Sequence, residues 1–135
     1  MVDVTGGITA PLGFTAAALH CGIKAKAGAL DLAVIAADRP VAAAGLFTTN
    51  LAKAAPVLVS REHLERTGGR AMAIVVNSGC ANACTGDVGL RDARAMARTA
   101  GDALGCAEHD ILVASTGVIG VALPMQKVVP GITTA

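Results

Sequence analysis

Two apolar segments on either side of one amphipathic helix constrain the fold of this chain more than any other feature. Ala71–Asn77 and Asp110–Ser115 are mostly apolar runs of strand length bounded by turn residues, a pattern typical of buried strands. Between them, Asp87 suits the N-cap of a helix that runs to about Leu104, and Gly105 suits the residue after its end. This order predicts two parallel strands joined by a helical crossover, which is right-handed in nearly all proteins.

The predicted helix has one apolar side and one charged side. The apolar side is formed by residues at spacings of three and four, namely Leu90, Ala93, Ala97, Ala100 and Leu104. The other side carries the charged residues Arg91, Asp92, Arg94, Arg98 and Asp102. A helix with this distribution packs its apolar side on a sheet and leaves its charges in water.

The chain ahead of this unit contains four more apolar runs of strand length. They are Phe14–Ile23, Leu30–Ala37, Ala42–Thr48 and Pro56–Ser60. A short helix is predicted at Arg61–Arg66, and another starts near Pro124 and is cut by Pro130-Gly131. Because strands without intervening helices pair largely antiparallel, we predict an α/β fold with a mixed sheet and helices, in a single domain of residues 1–135.

The composition is apolar but poor in large side chains. Hydrophobic residues make up 53% of the chain, which excludes a disordered tail. However, 29 residues are alanine, only two are phenylalanine, and tryptophan and tyrosine are absent. Because alanine buries little area, we expect a thin core and an apolar surface that receives a further segment.

The charge balance argues against nucleic-acid and membrane partners. Eleven basic and ten acidic residues leave a net charge of +1, without a basic stripe. The N-terminus lacks the basic region of a secretory signal, and the apolar run 111–126 is too short and too interrupted by Gly and Pro for a membrane span. We therefore expect a soluble, cytoplasmic protein.

The four cysteines do not form the pattern of a disulfide framework. They are Cys21, Cys80, Cys84 and Cys106. Cys80 and Cys84 have a spacing that two metal ligands can use, but no second Cys or His pair follows at a suitable distance. We expect reduced and mostly buried thiols, with a small buried side chain at Cys84, and we predict no metal site. A redox or metal-binding use of Cys80 and Cys84 is the alternative.

Two glycine-containing loops follow the two clearest strands. The first, Asn77–Gly86, leads into the predicted helix, where free backbone N–H groups are suited to an anion. An ordinary strand-to-helix turn, tied by Asn and Thr side chains, explains this loop equally well. The second, Ser115–Gly120, offers the Gly117 backbone amide and the Thr116 hydroxyl as donors to a developing oxyanion. From spacing alone, an ordinary turn is the stronger interpretation of the second loop.

Four blocks of the sequence resemble the ornithine acetyltransferases, also called bifunctional glutamate N-acetyltransferases. They are Gly22–Ala33, Ala44–Val57, Val76–Gly86, and Ser115–Gly120 followed by Leu123–Lys127. The blocks occur in the order of the family and span nearly the whole chain. The resemblance implies the N-terminal, α-chain part of the ornithine acetyltransferase fold.

The resemblance also implies a mechanism. In this family the precursor cuts itself before a threonine, which becomes the N-terminus of a β chain and the nucleophile. That threonine takes an acetyl group from N-acetylornithine and passes it to glutamate, with its own α-amine as base. The oxyanion hole of the family falls on Thr116 and Gly117 of this chain. A hetero-oligomer of α and β chains that needs no cofactor is implied, and the use of acetyl-CoA as an acetyl donor stays open.

The chain departs from the family pattern in two respects. The later family segments A-I-M-T-T-D-T-x-P-K and K-G-x-G-M-x-x-P-x-x-A-T-M-L do not occur, and the second of these holds the cleavage site. In addition, Cys80 stands where Asn or Gly is expected, and Thr133-Thr134-Ala135 lacks the glycine-rich context of the junction. We expect a truncated α-chain-like part that lacks the nucleophile and is inactive alone. A non-catalytic binding or assembly module of the same fold is the alternative.

Overall fold

The computed structural model describes residues 6–135. Its strands are β1 (Phe14–Leu19), β2 (Leu32–Ala42), β3 (Arg70–Cys80) and β4 (Ile111–Val118). Its helices are α1 (Ala55–Arg66), α2 (Gly86–Leu104) and α3 (Met125–Thr134), with a 3₁₀ turn at Glu108–Asp110. Among these residues, no helix is long and apolar enough to cross a membrane.

The four strands form one mixed sheet in the order β1-β2-β3-β4. β1 pairs antiparallel with β2, and β2 pairs antiparallel with β3. β3 and β4 are parallel, and α2 connects them. The prediction of antiparallel early strands followed by a parallel crossover is therefore confirmed.

Helix α2 ends where the sequence predicts. Gly105 has a φ of 70°, in the left-handed region that glycine adopts readily after a helix. Thr85, rather than Asp87, occupies the N-cap position, and Asp87 lies in the first turn, where its negative charge favours the helix N-terminus. The side that faces the sheet is buried at Ala93, Met96, Ala97 and Ala100.

Two of the predicted strands are wrong. Residues 56–60 belong to α1, because Pro56 lies in the first helical turn, which tolerates proline, and Val59 and Ser60 are buried with His63 at helical spacing. A five-residue apolar run cannot be assigned to a strand or a helix by periodicity alone. In the segment Ala42–Thr48, only Ala42 is part of a strand, and the following residues fold back towards α1.

Helix α3 is not cut at Pro130-Gly131 as predicted. It continues to Thr134, with Pro130 inside it. The proline removes one backbone hydrogen bond, the one that its own N–H would donate to the carbonyl four residues earlier. A Cβ atom at Gly131 would lie 2.8 Å from side-chain atoms of Cys21 and Leu32, so this turn is pressed against the sheet. Tertiary packing therefore outweighs the local cost of the proline.

The three helices cover one face of the sheet. The largest buried side chains come from both layers, namely Leu32, Val75 and Ile111 of the strands and Val59, Met96 and Val128 of the helices. Alanines fill much of the remaining interface. A cavity of about 390 Å³ remains between β1 and the ends of α2 and α3, lined in part by Ala17, Val34 and Leu104. The core on this face is thin because its side chains are small.

The opposite face of the sheet is apolar and is not covered by a helix of the described residues. Side chains alternate between the two faces of a strand, which places on the open face Phe14, Ala16, Ala18, Ala33, Ile35, Met72, Ile74, Val76, Leu112 and Ala114. Ile74, near its centre, is 38% exposed. A hollow of about 250 Å³ lies there between Phe14, Met72 and Leu112. We name this surface the open face.

The turn between β1 and β2 is organised around the buried carboxylate of Asp31, so that β1 ends earlier than predicted. One carboxylate oxygen accepts a hydrogen bond from the Cys21 N–H at 2.7 Å. The other accepts from the N–H groups of Gly22 and Lys24 at 3.1 and 3.0 Å. His20 Nδ1 lies 3.1 Å from the second oxygen. We name residues 20–24, which surround this carboxylate, the Asp31 turn.

These hydrogen bonds make the stability of the fold depend on pH. Burial by itself raises the pKa of Asp31, but the N–H groups of Lys24 and Cys21 outweigh it and lower the pKa from 3.8 to about 2. A carboxyl group whose pKa is lowered by folding stabilises the fold above its unfolded pKa. This contribution is lost as the pH falls through the folded pKa of about 2.

Side chains of α1 form hydrogen bonds with the backbone groups on the outer edge of β4. The Ser60 hydroxyl donates to the Val113 carbonyl at 2.7 Å and accepts from the Val113 N–H at 2.9 Å. His63 Nδ1 donates to the Ile111 carbonyl at 2.8 Å, and both side chains are buried. An edge strand otherwise presents unpaired backbone groups, so α1 both covers and fixes the first half of β4.

The substitution Ser60→Ala tests this edge contact. It is expected to lower the free energy of unfolding by about 1–3 kcal/mol, because the buried N–H and carbonyl of Val113 lose their partner. Urea unfolding followed by circular dichroism measures the change. Arg61→Ala is the control, since the side chain of Arg61 is exposed and is 3.8 Å from Glu65, a contact worth at most about 1 kcal/mol. Equal effects of the two substitutions would contradict the assignment.

The substitution Asp31→Asn tests the pH dependence. Near neutral pH it is expected to cost about 2 kcal/mol of unfolding free energy, since the amide cannot replace a carboxylate facing three N–H groups. The difference should shrink as the pH falls from about 4 to about 2, where the wild-type carboxyl takes up a proton. Urea unfolding across this range measures it, with the exposed Asp102→Asn as control. A difference independent of pH would refute the role of the charge.

Candidate functional site

The predicted site residues Thr116 and Gly117 lie at the end of β4, beside the end of β3. Thr116 is paired with Ser78, and Gly117 with Gly79, in the parallel register. They are therefore part of a strand, and not of a loop after it as the sequence suggested. The strand extends to Val118 because small residues in both strands let the backbones stay paired.

The backbone amide of Gly117 is directed away from β3. Backbone groups of successive residues in a strand point to alternate sides. The N–H and carbonyl of Val113 bond to Ser60 of α1, on the outer edge of β4, which is the side away from β3. The Val118 carbonyl instead accepts from the Ala81 N–H at 2.9 Å, on the side towards β3. Gly117 follows Val113 by four residues in the same strand, so the alternation places its N–H on the outer edge too.

Only glycine fits at position 117. A Cβ atom there would overlap the carbonyl carbon of Gly79 and lie 2.6 Å from the Cys80 nitrogen, and its φ of 132° also disfavours other residues. Gly79 is similarly restricted, with a φ of 119° and a would-be Cβ 2.9 Å from the Ile23 side chain. The segment at residues 23–24 thus lies against Gly79, and Gly79 lies against Gly117.

The Thr116 side chain belongs to the open face and is exposed. Its register partner, Ser78, lines a hollow of about 120 Å³ together with Ala18, Leu30 and Val76. The Thr116 hydroxyl and the Gly117 amide are therefore two neighbouring donors at one strand end, next to a concave surface. Two such donors are what a developing oxyanion requires.

Two buried oxygen atoms lie next to this pair in the sequence. Asn77 and Ser115 are register partners, and Asn77 is fully buried. Asn77 Nδ2 donates to the Cys80 carbonyl at 2.8 Å, but within residues 6–135 neither Asn77 Oδ1 nor Ser115 Oγ has a hydrogen-bond partner. Buried polar atoms are nearly always paired, so this end of the sheet differs from the ordinary core around it.

The loop Asn77–Gly86 serves to connect β3 with α2. Asn82, with a φ of 47°, donates from Nδ2 to the Gly89 carbonyl at 2.8 Å and accepts from the Thr85 hydroxyl at 2.8 Å. A Cβ atom at Gly89 would lie 2.8 Å from Thr85 Cβ, so the loop is packed directly on the helix. Of the two interpretations left open by the sequence, these contacts favour the strand-to-helix turn.

The four cysteines form no disulfide bond with one another, and one prediction about them is wrong. Cys80 is buried and its thiol donates to the Val121 carbonyl at 3.1 Å, but Cys84 is exposed and not buried as predicted. Burial raises the pKa of the Cys21 and Cys106 thiols. In the part of the chain that the structure describes, no group of His, Cys, Asp or Glu side chains is arranged to bind a metal ion. Nothing here supports a redox or metal-binding use of Cys80 and Cys84.

The sequence did not identify two residues that shape this site. Gly79 was seen only as part of a glycine-containing loop, and Asp31 only within the predicted strand Leu30–Ala37 and a family block. A charged residue directly before an apolar strand was the available signal for Asp31. Its backbone carbonyl accepts from the Ser78 N–H at 2.8 Å, which joins the Asp31 turn to the end of β3.

Comparison of sequences identifies the relatives of this chain. A sequence model described as the ArgJ family matches residues 15–135. The arginine biosynthesis bifunctional protein ArgJ of Symbiobacterium thermophilum is 53% identical over 133 residues, which cover 98% of this chain and 33% of that protein. The mitochondrial protein of the same name from Postia placenta is 55% identical over 126 residues, or 90% of this chain and 27% of that protein. The chain spans about a third of the length of these curated relatives.

Solved structures share the fold. ArgJ of Bacillus halodurans superimposes with a TM-score of 0.90 at 41% identity, covering 96% of this chain and 66% of that chain. Ornithine acetyltransferase of Mycobacterium tuberculosis, solved in complex with ornithine, gives a TM-score of 0.90 at 47% identity, covering 96% of this chain and 68% of that chain. The predicted mixed α/β fold of the ornithine acetyltransferases is confirmed, and the chain belongs to the ArgJ family of bifunctional arginine biosynthesis proteins.

Proposed function

We propose that this chain supplies the oxyanion-binding half of an active site that transfers an acetyl group from N-acetylornithine to glutamate. The observation that carries the proposal is the placement of the Thr116 hydroxyl beside the outward-facing Gly117 amide. Family membership supports the reaction class, and the ornithine bound to the Mycobacterium tuberculosis relative supports an amino-acid substrate.

The proposed chemistry divides between two chains. A threonine at the N-terminus of a second, β chain attacks the acetyl carbonyl carbon, while its own α-amine takes the hydroxyl proton. The carbonyl oxygen becomes an oxyanion that accepts from the Thr116 hydroxyl and the Gly117 N–H. Collapse of this intermediate expels the amine of ornithine, which takes a proton, and leaves an acetyl-threonine ester. The amine of glutamate then attacks that ester through the same oxyanion geometry. The bond between the threonine oxygen and the acetyl carbon breaks, the proton lost by the amine returns to the threonine hydroxyl through the α-amine, and N-acetylglutamate is released.

The open face supports a partner segment. A sheet with parallel strands is normally covered on both faces, and here the second face is apolar, with Ile74 and its neighbours exposed. The relatives are about three times as long as this chain. We infer that a β chain, released by self-cleavage of a longer precursor, packs on the open face in a hetero-oligomer. Residues 1–135 alone are then inactive, because the attacking threonine belongs to the β chain.

The proposal includes neither a metal nor a bound cofactor. Whether acetyl-CoA serves as a second acetyl donor stays open. The proposed location is the cytoplasm, although some fungal relatives are named mitochondrial.

The substitution Thr116→Val tests the function in a completed enzyme. The chain is joined to the part of the Symbiobacterium thermophilum relative that lies beyond the matched region, and acetyl transfer from N-acetylornithine to glutamate is measured. Removing the hydroxyl is expected to lower kcat by about 10²–10³-fold with little change in KM, because the donor acts on the oxyanion. Thr15→Val, on the strand at the opposite edge of the sheet, is the control and should leave kcat unchanged.

Two outcomes would overturn the proposal. If the parts associate correctly but no acetyl transfer occurs, the enzyme assignment fails and a non-catalytic binding or assembly module of the same fold is favoured. If acetyl transfer occurs and Thr116→Val keeps the full kcat, the oxyanion role of Thr116 fails.

A further inference from the structure

The buried carboxylate of Asp31 lies at the start of a series of backbone contacts that ends at Gly117. We propose that Asp31 is a positioning residue for the oxyanion-binding pair Thr116 and Gly117, a role that rests on the proposed function. Asp31 does not contact the pair directly. It acts through the Asp31 turn and the end of β3.

The first step is the rigidity of the Asp31 turn. The carboxylate is almost completely buried and accepts from the N–H groups of Cys21, Gly22 and Lys24. Hydrogen bonds to a charged acceptor are stronger than those between neutral groups, and three of them converge here within four residues. His20 faces the same carboxylate, at 3.1 Å. The backbone of the turn therefore has one arrangement as long as the charge is present.

The second step is the contact between the turn and β3. Ile23 and Lys24 lie on Gly79, where a Cβ atom would be 2.9 Å from Ile23 Cγ2 and 3.2 Å from Lys24 Cγ. The Asp31 carbonyl also accepts from the Ser78 N–H at 2.8 Å. Both the side chain and the backbone of Asp31 thus determine where the end of β3 lies.

The third step is the contact between β3 and β4. Gly79 and Gly117 are register partners, and a Cβ atom at Gly117 would overlap the Gly79 backbone. Because the two residues are partners in the β3–β4 ladder and leave no room for a Cβ atom at Gly117, a shift of Gly79 moves Gly117 and its N–H. Protein interiors packed at this density transmit displacements and do not absorb them.

The charged groups around the turn agree with this role. Lys127 of α3 donates from Nζ to the Gly22 carbonyl at 2.9 Å, and Lys24 donates from Nζ to the Leu30 carbonyl at 3.1 Å. Both contacts are made by exposed lysines on the outside of the turn, whereas Asp31 holds it from the inside. The carboxylate is therefore the group whose loss frees the turn most.

The test is the kinetics of Asp31→Asn in the completed enzyme described above. We expect kcat to fall about 10-fold or more while KM for N-acetylornithine stays within about twofold, since displaced oxyanion donors weaken transition-state binding only. Leu64→Ala is the control for general destabilisation. Leu64 is buried beside Gly69, before the start of β3 and at the opposite end of the strand from Gly79. Its truncation should lower stability and leave kcat unchanged.

Amide hydrogen exchange in the same protein provides a readout independent of activity. Peptides that contain residues 79–80 and 117–118 should exchange faster in Asp31→Asn than in the parent, and should not do so in Leu64→Ala. Asp31→Glu is a second variant, to be used if the Asp31→Asn protein does not assemble into the completed enzyme. It keeps the charge, but its added methylene displaces the turn, so kcat should also fall.

The outcomes separate this proposal from the proposed function. An active parent whose kcat is unchanged by Asp31→Asn or by Asp31→Glu overturns the positioning role alone. A loss of kcat that Leu64→Ala shares, without local change in exchange at Gly117, overturns it as well. An inactive parent overturns the proposed function and this inference together.

Discussion

The direct contact between the backbones of Gly79 and Gly117 is the constraint on which the candidate site depends. β3 and β4 pair there through two glycines with positive φ, and a Cβ atom at Gly117 would overlap the Gly79 backbone. The turn at residues 20–24 is stacked on the other side of Gly79. The site is therefore shaped by three backbone segments and a buried carboxylate, and less by the side chains that would touch a substrate.

The edge position of β4 explains how one strand contributes to stability and also supplies a donor for the proposed oxyanion site. Ser60 and His63 satisfy the outward-facing backbone groups of Val113 and Ile111 in the first half of the strand. The same alternation turns the Gly117 amide outward, beyond the bonds made by α1. An edge strand is normally a liability because its backbone groups are unpaired. Here the edge is protected by α1 at one end and exposes a donor at the other.

The amount of buried apolar surface differs sharply between the two faces of the sheet. On the helix side, alanines let α2 approach closely but leave a cavity near β1. On the open face, apolar side chains meet no covering layer within the described residues. The parallel pair of β3 and β4 gains most from burial on both sides, which agrees with a fold that is completed by a further segment, as we propose.

The sequence alone determined the mixed sheet, the parallel crossover, helix α2 and the two candidate donors. These depend on local periodicity, on Gly105 and on the blocks shared with the family, all of which are written into short stretches of chain. The tertiary structure alone decided that residues 56–60 are helical, that α3 passes through Pro130, and that Cys84 is exposed. It alone showed that the Asp31 carboxylate is buried and accepts from three backbone N–H groups. Contacts of this kind join residues that are apart in sequence, as Ser60 with Val113 or Gly131 with Leu32. Local propensity cannot report such contacts, since their free energy appears only when the sheet and the helices are assembled.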